Sequence, residues 1–327
     1  MQIDLTRGRI TRPMLCFAAP MIAGNLLQQC YNIADTLIVG RALGPSALAS
    51  VGFSFTLMTF LTSVLLGLGW GVAGAAGATV LAQGVSAAGI ALYCWRRVAL
   101  LRLGREHCTF RRGELGRIIH YSLLTCVQQS VMNFGILMVQ GLVNSFGVNV
   151  MAAFAAAVKI DAFAYLPVQD FGNAFSTFVA QNTGASQPER IRRGIRSAVR
   201  VSILFCVVSS LLVCLFAAPL MALFVEPGET EIIAIGVEYL RIEGLCYCGI
   251  GILFLLYGLF RGLGRPGVSV VLTVISLGTR VALAYLLAPI PAIGLKGIWW
   301  AVPIGWGLAD LAGLLFYLRR PVWAGNP

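Results

Sequence analysis

An all-α, polytopic membrane protein of about nine transmembrane helices is predicted by three observations. The 327 residues are 58% hydrophobic and only 11% charged, with a mean hydropathy of +0.84. Apolar stretches of helix-spanning length recur along the whole chain, and the positive charge falls in short clusters between them. A soluble domain carries about 25% charged residues, and a soluble core is limited in size. The composition therefore excludes a water-soluble enzyme and a disordered chain. A bilayer crossing needs about 20 apolar residues, and nearly the whole chain reads as such crossings.

Nine stretches are delimited, at 14–39, 46–67, 72–95, 118–145, 149–181, 197–224, 231–260, 267–289 and 296–318. The first follows Arg7, Arg9 and Arg12. The second and third are joined only by Gly67-Leu68-Gly69-Trp70-Gly71, which has no charge. As one helix, residues 46–95 would run about 75 Å at 1.5 Å per residue, against a hydrocarbon core of about 30 Å. The chain is therefore expected to be broken or re-entrant there. Kinks are expected near Pro20, Pro167 and Pro303.

Lys and Arg mark the cytoplasmic side of a membrane. The N-terminal tail, the 96–117 loop, the 190–200 loop, the 261–265 turn and the C-terminal Arg319-Arg320 hold 19 of the 24 basic residues. The connections near 146–149, 225–231 and 288–295 have none, and the middle one carries Glu226, Glu229 and Glu231. The expected location is a plasma (inner) membrane, with the N-terminus, the 96–117 loop and the C-terminus cytoplasmic. From residue 96 onward the alternation is regular over six crossings. Before it, two cytoplasmic flanks enclose three stretches, an odd number. The net charge of +11 is topological on this reading, since nucleic-acid binders gather their basic residues on one face of a soluble domain. Nine cysteines without a CxxC pair, and two histidines (His107 and His120), make neither a zinc site nor a disulfide framework. No cofactor is expected.

An internal repeat accounts for the odd count. Leu27-Gln28-Gln29 recurs as Val127-Gln128-Gln129, and Leu43-Gly44 with Ala47-Leu48-Ala49 recurs as Phe146-Gly147 with Val150-Met151-Ala152. The segment from Gly71 to Tyr93-Cys94-Trp95-Arg96-Arg97 is similar to that from Gly297 to Phe316-Tyr317-Leu318-Arg319-Arg320. The first, second and third stretches thus match the fourth, fifth and ninth. The expected organisation is a truncated N-terminal lobe over 1–117, lacking its third to fifth helices, and a complete six-helix lobe over 118–327. Such paired halves suit a transporter that rocks one half against the other.

The run PMIAGNLLQQCYNIADTLIVGRALG from Pro20 to Gly44 resembles the first helix of multidrug and toxic compound extrusion (MATE) transporters. GWGVAGAAGATVLAQ (69–83) resembles their sixth helix, and Ala153–Ala185, ending FVAQNTGA, their eighth helix and following loop. The resemblance implies two unequal inverted-V lobes, and export of cationic or amphiphilic small molecules in exchange for protons or sodium ions. It also implies ion coupling at Asp35, the aspartate of the YNxxD pattern. The missing helices keep a non-transporting deletion remnant open. A flippase for lipid-linked saccharides is a further alternative, although only Lys159 and Arg280 lie well inside the apolar stretches. An intramembrane enzyme finds no HExxH, GxSxG or core histidine.

Candidate site residues follow from polar groups inside apolar stretches. Asn25, Gln28, Asn32 and Asp35 share one helix face, and intramembrane carboxylates mark ion or substrate paths. Gln129, Asn133, Gln140 and Asn144 form a second stripe, either a helix–helix contact through amide hydrogen bonds or a polar cavity wall. Lys159, Asp161 and Asp170 lie in the fifth stretch, where Lys159 and Asp161 cannot face each other along one helix. Glu243 is a deep carboxylate and a second ion-coupling candidate. Glu238 is expected to pair with Arg241, and Arg280 with Asp310. Tyr31, Phe154, Phe163, Tyr165, Tyr247 and Tyr257 offer rings to a cationic ligand, whereas Trp299 and Trp300 read as interface markers. The partners expected are a small molecule and a lipid bilayer, not nucleic acid; oligomeric state is left open.

Overall fold

The computed structural model describes residues 5, 6, 8–26, 112–225 and 228–319, and every regular element among them is an α-helix. Helix α1 covers 11–26. It is followed by α2 (Arg112–Asn144), α3 (Val148–Gly184), α4 (Pro188–Ala222), α5 (Thr230–Leu245), α6 (Tyr247–Gly262), α7 (Pro266–Leu287) and α8 (Leu295–Arg319). The second and third stretches expected from the sequence, and most of the first, lie outside the described residues. The chain divides into two compact units, Met1–Gly52 with Leu123–Pro327 and Phe53–Ser122. Of the second unit, residues 112–122 are described, and they are helical.

From residue 118 on, hydropathy and structure agree closely. Ile119–Asn144, α3, α4, α7 and α8 are each long and apolar enough to cross a membrane, and α5 with α6 passes the same test only as a pair bent by 53° at its break. Turn chemistry sets the joints. Gly147 and Gly264 take φ of 102° and 74°, open to glycine without strain. Pro188 and Pro266 stand at the first positions of α4 and α7, where no backbone N–H is needed.

The expected kinks are only partly where proline sits. Pro167 and Pro303 lie inside α3 and α8, and Pro20 inside α1. The departures from helical geometry come elsewhere, at Phe216 (φ −101°, ψ 15°) and at Cys246 (φ −106°, ψ 10°). Phe216 precedes Pro219 by three residues, within the turn that the proline ring disrupts. Cys246 has no proline beside it; Gly244 and Gly249, poor helix formers, flank it.

Helix α3 is the centre of the larger unit and packs most extensively against α6. Small residues let these backbones meet. A Cβ on Gly172 would stand 2.7 Å from the Phe254 carbonyl oxygen, and one on Gly262 2.6 Å from that of Ser176. Gly258 faces the Gly172 carbonyl more closely still. Gly258→Leu is accordingly expected to force α3 and α6 apart, lowering the melting temperature in detergent, whereas Gly278→Leu, facing open space, leaves it nearly unchanged.

At the other end of the core, Phe154 of α3 stacks on Trp299 of α8 at 5.5 Å, and Tyr239 of α5 meets Trp299 edge-on at 4.9 Å. Trp299 is 1% exposed, so it is a core anchor and not an interface marker; its neighbour Trp300, on another face, is 46% exposed. Apolar side chains of α2, α4 and α8 such as Leu137, Leu204, Leu211, Leu311 and Leu318 point outward, as a lipid-facing surface requires.

Candidate functional site

Four helices bring polar groups into the interior of the larger unit. Asp161 enters from α3, Glu243 from α5, Tyr247 from α6 and Arg280 from α7. Asp161 is 7% exposed and Glu243 2%. The bend at Cys246 separates Glu243 from Tyr247 and lets both address the same space. Asp161 interacts with Tyr247 and Glu243, Glu243 also with Tyr239, and the Arg280 charge acts on both carboxyls. Asp161 Oδ1, Glu243 Oε1, Tyr247 Oη and Arg280 Nε are buried and have no closed hydrogen bond. Buried polar atoms are ordinarily paired, so the cluster holds unspent hydrogen-bonding capacity. Two carboxylates also face one guanidinium, an arrangement that is electrically balanced only if another positive charge joins it.

This corrects two expected pairings. Arg280 acts on Asp161 and Glu243 through its charge and not by a contact ion pair, and no ion pair joins it to Asp310, whose Oδ1 is itself buried and unpaired. Glu238 reaches across to Lys296 of α8 at 2.8 Å instead of along α5 to Arg241. The cross-helix partner lies 58 residues away, so helical spacing could not announce it. Lys159 is buried nearly opposite Asp161 around α3, since two residues turn an α-helix by about 200°.

The other candidates fall in three places. Asn25 of α1 donates to both oxygens of Asp170 on α3, at 2.8 and 2.7 Å, which joins two residues singled out separately in the sequence. On α2, the amides pair along the helix: Gln129 donates to Asn133 at 3.4 Å and Gln140 to Asn144 at 3.1 Å. Gln129 and Asn133 are exposed, and Gln140 is buried. The helix-to-helix amide is Gln128, buried and donating to Thr273 of α7 at 3.0 Å. It escaped notice because hydrogen bonding by the residue before Gln129 leaves no mark in spacing. Gln28, Asn32 and Asp35 lie outside the described residues. Phe154 is committed to the aromatic core and Tyr247 to the charge cluster. Among the described residues no group of three His, Cys, Asp or Glu side chains could hold a metal ion.

At the other end of α3 the N-terminal segment is tied down. Leu5 N–H donates to Gln181 Oε1, while Asn182 Nδ2 donates to the Leu5 carbonyl. Arg190 donates to the carbonyls of Leu5 and Gly8. The basic tail and the basic start of α4 thus lie together, consistent with one side of the membrane for both.

Comparison with known proteins agrees with the fold. The chain is 27% identical over 292 residues to the "Probable multidrug resistance protein YpnP" of Bacillus subtilis, covering 88% of this chain and 64% of that protein. It is 26% identical over 250 residues to the "Probable multidrug resistance protein NorM" of Thermotoga maritima, covering 76% and 53%. The chain therefore spans between about half and two thirds of the length of these relatives. A crystal structure of MATE in complex with MaL6 superposes with a TM-score of 0.84 at 19% identity, over 97% of this chain and 98% of that one. The family profile named MatE matches residues 20–101 and 124–286, three quarters of the sequence. With five helices among the described residues long and apolar enough to span a membrane, and this match, the chain is a multi-pass membrane protein of the MatE family.

Proposed function

We propose that the chain acts as a MATE-like secondary transporter of the plasma (inner) membrane. It would export cationic or amphiphilic small molecules in exchange for protons or sodium ions, using a shortened lobe over 1–117 and a six-helix lobe over 118–327. The relatives' names, multidrug resistance proteins, supply the substrate class. The observation that carries the coupling step is the excess of buried carboxylate over cation at Asp161, Glu243 and Arg280. A proton or a monovalent cation entering there would complete the charge balance, and its release would unbalance it again. An uncompensated charge in the apolar interior is costly, so binding and release would be coupled to how the four contributing helices pack. Asp35 is the second coupling group on this reading, and Asn25, Gln28 and Asn32 line the path beside it.

The test is dye efflux from cells expressing the chain, driven by an imposed proton or sodium gradient. Glu243→Gln and Asp35→Asn are each expected to bring efflux to the empty-vector level without reducing the amount of protein in the membrane. Efflux equal to the parent in both variants would rule out the assigned roles. The unequal halves of the internal repeat favour one competing reading, a remnant that inserts without transporting. A parent chain that itself matches empty vector would establish that reading.

A further inference from the structure

We infer that the start of α4 forms a binding site for an anionic phospholipid, with the phosphate held by Arg193, Arg196 and Arg200 and the acyl chains lying along the outer face of α4. This rests on the membrane setting and is independent of any transport activity. A cavity of about 420 Å³ is lined by Thr11, Arg193, Arg196, Ser197, Arg200 and Val201. The α4 residues recur every three or four positions, so their side chains converge on one face. All three arginines are exposed. Among the described residues no carboxylate pairs with them: Glu189 is taken by Arg192 at 3.4 Å, and the remaining ion pair is Glu238–Lys296. Three mutually repelling cations around one recess call for an anion, and guanidinium groups match phosphate oxygens in pairs.

The same face then changes character. Leu204, Val208, Leu211 and Leu215 continue the arginine row within about 120° of arc, and they are 67%, 47%, 58% and 72% exposed. From Arg200 to Leu215 the row runs about 22 Å, deeper than the ~15 Å of one leaflet. A cationic head cavity continuous with an apolar track has the shape of a phospholipid, not of a free phosphate ion. Arginines that served only to orient the chain would need to lie on the cytoplasmic side. They would have no reason to converge on a cavity or to align with an apolar row. The cavity also holds a junction: Thr11 Oγ1 and Ser197 Oγ are 2.6 Å apart, linking α1 to α4 at the site. A bound headgroup would brace that junction.

The experiment uses the full chain in a neutral detergent, titrated with phosphatidylglycerol, phosphatidylcholine or inorganic phosphate. Bound lipid is counted by native mass spectrometry and stability is followed by melting temperature. Phosphatidylglycerol is expected to bind at least about tenfold more tightly than phosphatidylcholine and to raise the melting temperature. Arg193→Gln/Arg196→Gln/Arg200→Gln should weaken it about a hundredfold, at roughly fivefold for each cation near a membrane surface. The corresponding triple lysine variant should keep part of the binding, since it retains the charge without the paired guanidinium hydrogen bonds. Arg319→Gln, an exposed arginine of α8 that does not line the cavity, should stay within about twofold of the parent. If the triple glutamine variant does not insert, Arg196→Gln alone should still show about a fivefold loss. Protection by inorganic phosphate equal to that by phosphatidylglycerol would overturn the lipid assignment in favour of a free-anion site. A loss in Arg319→Gln as large as in the α4 variants would overturn the site altogether, leaving diffuse surface attraction.

Discussion

Arg280→Leu is expected to lower the melting temperature in detergent, because it removes the cation whose charge acts on Asp161 and Glu243, with an effect below the ~3–5 kcal/mol that breaking a buried contact ion pair costs. The loss would come from Asp161 and Glu243, which would be left as two neighbouring buried carboxyls without their cation. Adding Glu243→Gln should therefore recover part of it, since the amide removes one of the stranded charges while keeping the shape. Melting of the single and double variants in detergent decides the matter. If the two changes merely add, Arg280 and Glu243 do not interact energetically, and the shared cluster loses its basis. The reverse order is also informative. Glu243→Gln alone leaves Asp161 with Arg280, so it should alter stability far less than it alters efflux.

Trp299→Ala should cost about 3–5 kcal/mol, the range for emptying a large aromatic site in a core. Trp299 touches Phe154 and Tyr239 on two other helices, and its removal leaves both rings facing a void. Trp300→Ala is the matched comparison. Its side chain is 46% exposed, and a surface substitution of this kind stays within about 0.5 kcal/mol. Comparable losses from the two variants would contradict the burial of Trp299 between α3, α5 and α8.

The membrane-length helices after residue 118 were readable because a bilayer demands one local property, sustained apolarity, at a known length. Asp161 and Glu243 were readable for the same reason, as carboxyls where few belong. Partnerships were not. Arg280 stands 119 residues from Asp161 in the chain, and whether it turns toward Asp161 or Asp310 depends on how α7 rotates against its neighbours. Trp299 and Trp300 are adjacent and chemically identical, so only helix orientation separates core from surface. The break at Cys246 likewise has no proline to announce it. Local pattern reports helices and their ends, while the choice of partner is a property of packing.

The attachment of the first helix has a consequence for biosynthesis. Thr11 meets Ser197, and Asn25 meets Asp170, so the partners of α1 emerge from the ribosome 145 to 186 residues later. At about 5–20 residues per second, Thr11 waits roughly 10–40 s for Ser197. Until Asp170 is made the Asn25 amide is without its partner, in a segment that must already have left the ribosome. A chaperone or the insertion machinery would have its longest engagement with this helix. Docking α1 onto α3 and α4 thus joins segments made far apart in time.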